Sequence, residues 1–272
     1  MSAINCIDIE KLQRLVGTHR CPALIDLRAS ADLLVPSSRP RSAAQLQGWA
    51  KELDSKNAVV ICDDGRSESP GVAAWLRQRG VEAEVLEGGF AAWRQAGLPL
   101  VSEAALPKRD ALGRTRWVTR ERPKVDRIAC PWLIRRFVDP DAVFLFVAPG
   151  DVPRVAAQLD AAAFDVEGEG VVWSHDGERC TFDVMVDGLG LSGFPALKRL
   201  ALIVRGADTS RLDTAPEAAG LLAASLGLSR MYTDDHAQLD AGMALYDAFY
   251  RWCRDASAET HNWTSHKPKA KR

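Results

Sequence analysis

Residues 57–80 hold a strand–loop–helix unit that leaves this chain few folds. Ala58-Val59-Val60-Ile61 is a short apolar run of the kind that forms a buried strand, and Cys62 ends it. A polar loop follows: Asp63, Asp64, Gly65, Arg66, Ser67 and Glu68. Ser69-Pro70 then opens an amphipathic segment that Gly80 stops. Ser and Pro are helix-start residues, and Gly suits the position just past a helix end. The chain thus sets a thiol at a strand end, in a loop leading to a helix N-terminus. Free amides and the helix dipole there favour an anion, and the same field favours thiolate over thiol. Position alone fits a half-buried structural cysteine equally well.

The flanking segments decide more. Ala23-Leu24-Ile25-Asp26-Leu27-Arg28 is a second short strand, ending in Asp and Arg. Ala83-Glu84-Val85-Leu86 is a third, followed by Gly88-Gly89-Phe90-Ala91-Ala92-Trp93. Over about residues 5–102 this order resembles the rhodanese-like family. The resemblance implies an α/β domain with a central parallel sheet flanked by helices. It makes Cys62 a persulfide-forming nucleophile, with Asp64, Gly65, Arg66, Ser67, Glu68 and Ser69 as its anion-binding loop. Asp26 and Arg28 become structural neighbours of that loop. Cys62 chemistry of this kind requires no cofactor, and the partner it implies is a small oxyanion such as thiosulfate. This chain departs from the family pattern in its loop register: Arg66 and Ser67 sit one position early. Asp63 and Asp64 also oppose a thiolate by like-charge repulsion.

A length of 272 residues favours two domains. Net charge is −1, so no global field draws nucleic acid. Six scattered cysteines, with no paired spacing, predict reduced thiols and a cytoplasmic protein. No run of about 18 apolar residues predicts a membrane span, and no membrane partner is expected. Residues 103–116 read as a linker, 117–263 as a second domain, and 264–272 as a basic, disordered tail.

In the second domain, helices are expected at 126–137, 151–162, 196–204, 214–226 and 233–254, with a strand at 143–147. Asp176-Gly177 predicts a hairpin between strands 170–175 and 180–186. The expected class is α+β and helix-rich. An even-length turn puts His175 and Cys180 on one sheet face, and a four-residue turn puts their Cβ atoms roughly 5 Å apart. With His236 as a third donor, this set suits zinc or another transition metal. The other reading of the same residues is a satisfied strand histidine, a core cysteine and a solvated helix start. Arg120, Arg122, Lys124 and Arg127 form a basic cluster that suits an oxyanion, or else a solvated face or ion pairs. No helix-turn-helix, finger or aromatic-interleaved basic strand accompanies them, so nucleic acid is not an expected partner.

The run from Trp117 through Arg120, Pro123, Asp126, Cys130-Pro131-Trp132 to Phe137 closely resembles the opening of the ChrB C-terminal domain family. Ile203-Val204-Arg205-Gly206-Ala207-Asp208, Ala215 to Gly220 and Asp235-His236 extend the resemblance over about 115–256. It implies a role in chromate resistance, with chromate as a candidate oxyanion. Two functions follow as expectations. One is sulfurtransferase or thiol-redox chemistry at Cys62, coupled to an oxyanion- or metal-responsive second domain. The other is a non-enzymatic, chromate-responsive transcriptional regulator on a degenerate rhodanese scaffold. An unrelated metalloenzyme in the second domain is a third.

Overall fold

A computed structural model describes residues 5–28, 31–53 and 57–259. The first domain runs β1 (Cys6–Ile7), α1 (Ile9–Leu15), β2 (Ala23–Asp26), β3 (Leu33–Leu34), β4 (Ser38–Pro40), α2 (Leu46–Trp49), β5 (Asn57–Ile61), α3 (Ser69–Gln78), β6 (Glu82–Leu86), α4 (Gly89–Gln95) and β7 (Val101–Ser102). Five strands form one sheet in the order β1-β6-β5-β2-β4, and every pairing is parallel. This is the expected parallel sheet, and it puts the end of β5 near its centre. Alternation along β2 and β5 divides the core. Leu24, Val59 and Ile61 belong to one apolar cluster, while Ala23, Ile25, Ala58 and Val60 belong to another that includes Val72, Ala73 and Leu76 of α3.

The second domain begins β8 (Arg116–Arg120), α5 (Asp126–Phe137), β9 (Val143–Val147), α6 (Val152–Leu159) and β10 (Ala162–Ala163). Its three strands pair in parallel, in the order β10-β8-β9. Four helices follow: α7 (Thr181–Gly188), α8 (Pro195–Asp208), α9 (Ala218–Met231) and α10 (Asp235–Asp255). The domain is helix-rich, as expected, but the hairpin is not a hairpin of strands. Asp176 and Arg179 close a tight turn with two 3.0 Å backbone bonds, and the chain then enters α7. Buried Phe182, Met185, Val186 and Leu189 carry helical spacing, and the Cys180 amide donates to Asp183 Oδ2 at 3.1 Å across the first turn. Helix α9 also differs. It starts after residue 214 and passes through Gly227, whose cost in a helix is only about 1 kcal/mol. Arg122 donates to the carbonyls of Ser229 at 2.7 Å and Tyr232 at 3.1 Å, closing the helix end.

The two domains share an apolar cluster. Leu24, Val59 and Ile61 of the first sheet lie in the same cluster as Trp132, Phe137 and Phe194 of the second domain. Gly17 adopts a φ of +77° against the Phe137 ring, where a Cβ would come within 2.1 Å of the ring carbon Cζ. The Ser37 amide donates to the Phe137 carbonyl at 2.7 Å, and Arg39 forks onto Asp141 at 2.5 and 2.9 Å. Residues 103–116 are tied down rather than loose. Arg109 pairs with Glu103 at 2.7 Å, and Asp139 takes the amide and hydroxyl of Thr115 at 2.6 and 2.7 Å. The basic tail at 264–272 lies outside the described residues. Among those residues, no helix is long and apolar enough to cross a membrane.

Candidate functional sites

Strand β5 delivers Cys62 to the carboxyl edge of the parallel sheet, where open α/β sheets place their ligands. The loop that leaves it is pinned from behind. Gly89 adopts φ +61°, and a Cβ there would lie 2.4 Å from the Cys62 carbonyl oxygen and 2.5 Å from the Gly65 nitrogen. Only glycine permits this approach. The amides of Phe90 and Ala91 then donate to the Cys62 and Asp63 carbonyls, both at 2.9 Å. Asp26 is fully buried and forks onto Arg28 at 2.6 and 3.0 Å, while the Arg28 guanidinium stacks 3.4 Å over the Phe90 ring. Asp26 and Arg28 thus brace the helix that braces the loop.

Three groups meet the Cys62 sulfur. The hydroxyl of buried Ser69 lies 3.0 Å away. The Ser67 hydroxyl donates to Sγ at 3.4 Å, and Sγ lies 3.4 Å from Asp64 Oδ1. Ser69 opens α3, as the sequence predicts, but its hydroxyl turns to the thiol rather than capping the helix. Burial pushes the Cys62 thiol up; hydrogen bonds from Ser67, Ser69 and the amides of Ser69 and Glu68 outweigh it and bring it below its ordinary value. Asp64 Oδ1 also accepts the amides of Arg66 and Ser67, each at 2.9 Å. Those bonds hold the Asp64 carboxyl far below the usual carboxylate range. A carboxylate of the protein itself therefore occupies part of the amide cradle predicted for an incoming anion. Arg66 and Glu68 are exposed on the same loop.

The basic cluster of the second domain does not converge on one open point. Arg120 Nη2 and Arg127 Nε both reach Asp165 Oδ2 at 3.2 Å. Arg122 closes α9 through the carbonyls named above, and its amide approaches Asp235 at 3.1 Å. Lys124 is exposed. The expected metal set also separates. Cys180 is buried and its thiol is pushed far up by burial, then by Asp126 and Asp183. His236 is exposed on α10, with its ring edge-on to Phe146 at 5.4 Å. His175 instead meets three carboxylates: its Nε2 is 3.2 Å from Asp208 Oδ2, 3.5 Å from Asp165 Oδ1 and 3.7 Å from Asp126 Oδ2.

Charge in this cluster is uneven. Burial, followed by Asp208 and Asp165, raises Asp126 well above the carboxylate range. Burial and the Asp165 charge also raise Asp208. Burial pushes Asp165 the same way, but His175, Arg127, Arg120 and Thr181 outweigh it and hold that group low. Contact with Asp165 lifts His175 to about 9, against the opposing effect of its partial burial.

Residues 117–253 match the family described as ChrB, C-terminal domain. The chain belongs to that family. Residues 8–96 match the rhodanese-like domain. Protein ChrB of Cupriavidus metallidurans is 36% identical over 148 residues, which cover 53% of this chain and 43% of that protein. The chain thus spans less than half the length of this curated relative. Among solved structures, a rhodanese-related protein from Thermoplasma volcanium is 24% identical, covering 36% of this chain and 97% of that one, with a TM-score of 0.33. A Helicobacter pylori protein is 19% identical, covering 40% and 100%, with a TM-score of 0.32.

Within the ChrB-type domain, sequence reasoning selected His175 but not its carboxylate neighbours. One signal was available. Asp208 ends α8, where the negative end of the helix dipole disfavours a carboxylate, so a local penalty marks the position. Asp165 sits between Phe164 and Val166 with no turn partner in sequence. Asp126 has the form of a helix cap, yet it is the first residue inside α5 and points into the core.

Proposed function

We propose that this ChrB-type protein serves chromate resistance and that its rhodanese-like domain performs sulfur transfer at Cys62. One observation carries the chemical half of the reading. The thiol sits where β5 feeds α3, within 3.0 and 3.4 Å of two serine hydroxyls that favour its ionised form. The thiolate attacks the outer sulfur of thiosulfate. A new S–S bond forms on Cys62 as the old one breaks, and sulfite departs with the electron pair. The resulting persulfide has the same net charge as the thiolate and can be held by the same hydroxyl and amide donors. A thiophilic acceptor such as cyanide then takes the outer sulfur and regenerates the thiolate. The chromate half rests on membership of the ChrB family.

Intact-protein mass spectrometry after thiosulfate treatment tests the chemistry. A gain of one sulfur atom on the wild type, absent from Cys62→Ser, is the expected result. No gain on a wild-type protein whose Cys62 still alkylates would sink the reading.

Asp64 favours a second reading. Its carboxylate takes two loop amides and sits 3.4 Å from the thiol, as a self-occupied cradle would. On that reading the first domain is a scaffold and the protein a chromate-responsive regulator. It predicts chromate-dependent retardation of promoter DNA in a mobility-shift assay. Absence of any binding at low salt, where backbone contacts are strongest, counts against it.

A further inference from the structure

The thiol chemistry leaves the carboxylate–imidazole cluster of the second domain unused. Asp126, His175 and Asp208 each offer one ligand atom, and those atoms lie within 4.8 Å of one another. They come from a helix start, a loop and a helix end, so the tertiary fold alone assembles them. We infer that Asp126, His175 and Asp208 bind one divalent transition-metal ion.

The spacing fits this. Two donors bound at about 2.1 Å to one ion, at tetrahedral or octahedral angles, lie roughly 3.0–3.4 Å apart. His175 Nε2 is already 3.2 Å from Asp208 Oδ2 and 3.7 Å from Asp126 Oδ2. Small side-chain shifts complete the set.

An independent observation points the same way. Asp126 is fully buried and its Oδ1 accepts no hydrogen bond, while Oδ2 receives the Phe182 amide at 3.3 Å and the Cys180 thiol lies beside the carboxyl. A buried carboxylate oxygen without a donor is costly, and a cation is what such an oxygen lacks. The nearby arginines do not supply one. Arg120 and Arg127 both go to Asp165 Oδ2, and Thr181 donates to Asp165 Oδ1 at 3.0 Å. Asp165 is thereby satisfied; Asp208 Oδ1 takes the Asp126 amide at 3.4 Å, and among the described residues His175 is the cationic side chain within 4 Å of the Asp126 and Asp208 carboxyls.

The donor chemistry narrows the ion. An imidazole nitrogen with carboxylate oxygens suits zinc, manganese, cobalt or ferrous iron, whereas calcium and magnesium take oxygen sets. The His175 side chain is 42% exposed, which gives an ion a path in from solvent and leaves positions for water or substrate. The inference is independent of Cys62.

Full-length protein purified without a tag, stripped by chelator and dialysed against Zn²⁺ or Mn²⁺ provides the test. Elemental analysis is expected to find one ion per chain, with a raised melting temperature. Cys62→Ser is expected to bind equally. His175→Ala and Asp208→Asn are expected to lose on the order of 100-fold in affinity. No retained ion in the wild type, or unchanged affinity in both variants, overturns the inference. Co²⁺ loading of the wild type keeps the test open if the variants misfold. Visible ligand-field bands without a thiolate charge-transfer band support the site, and a thiolate band refutes it.

Discussion

The Cys62 loop and the Asp126–His175–Asp208 cluster solve opposite electrostatic problems. The loop carries one ionisable sulfur and stabilises its charge with neutral donors, hydroxyls, amides and a helix start, even with the Asp64 carboxylate 3.4 Å away. Its shape is fixed by glycines and backbone bonds. The cluster gathers three carboxylates and then secures one of them with two arginines. Its walls are ionic too, since Arg205 forks onto nearly buried Asp183 at 2.7 and 2.8 Å. The lesson is that an anion-stabilising site can be built from uncharged groups on a tight backbone. A site for a cation needs surplus charge, and with it a scaffold of ion pairs.

This contrast can be tested from its largest consequence to its smallest. Cys62→Ser is expected to abolish persulfide formation while leaving metal uptake untouched. Activity surviving that change moves sulfur chemistry elsewhere. Phe137→Ala removes the ring against Gly17 and is expected to cost about 3–5 kcal/mol in denaturant unfolding, because it empties the joint between domains. A cost below about 1 kcal/mol would show that the domains are stable apart. Gly89→Ala forces a Cβ against the loop backbone at positive φ and is expected to cost about 2 kcal/mol or more. Arg205→Met leaves the Asp183 carboxylate without its cation, for about 2 kcal/mol after allowing for partial exposure of the arginine. Its loss should shrink in high salt, whereas that of Gly89→Ala should not. Equal salt responses would erase the distinction between the two scaffolds.

The smallest effect is also the most specific. Asn in place of Asp64 still accepts the Arg66 and Ser67 amides through Oδ1 but removes a negative charge 3.4 Å from the sulfur. The Cys62 thiol, already below its ordinary value, is expected to ionise at still lower pH. The pH profile of alkylation by iodoacetamide measures this. Thiolate persists at lower pH in the variant, so its profile shifts to the acid side. A shift to the alkaline side would mean that Asp64 serves the thiolate by holding the loop.

The first site was legible because its geometry is local. A strand end, a polar loop, Ser69-Pro70 and Gly88-Gly89 lie within 30 residues, and their order alone puts Cys62 at a helix start. The Asp64 turn was not legible, since a carboxylate beside a thiol reads as repulsion until its hydrogen bonds to Arg66 and Ser67 are seen. In the second domain, periodicity located α5, α8, α10 and β9 but misread 180–186, where an apolar run is short enough to suit either strand or helix. The cluster was hidden for a different reason. Asp126, Asp165, His175 and Asp208 span 82 positions, and no local pattern links them.

Strand β4 closes one side of the first sheet, and Phe137 and Asp141 of the second domain fasten it there through Ser37 and Arg39. An outermost strand normally offers unpaired backbone groups to any neighbouring chain. Here the second domain acts as a guard on that margin. Cut away at residue 102, the first domain would bare both this strand and the greasy surface around Gly17, and molecules of the fragment would stick to one another.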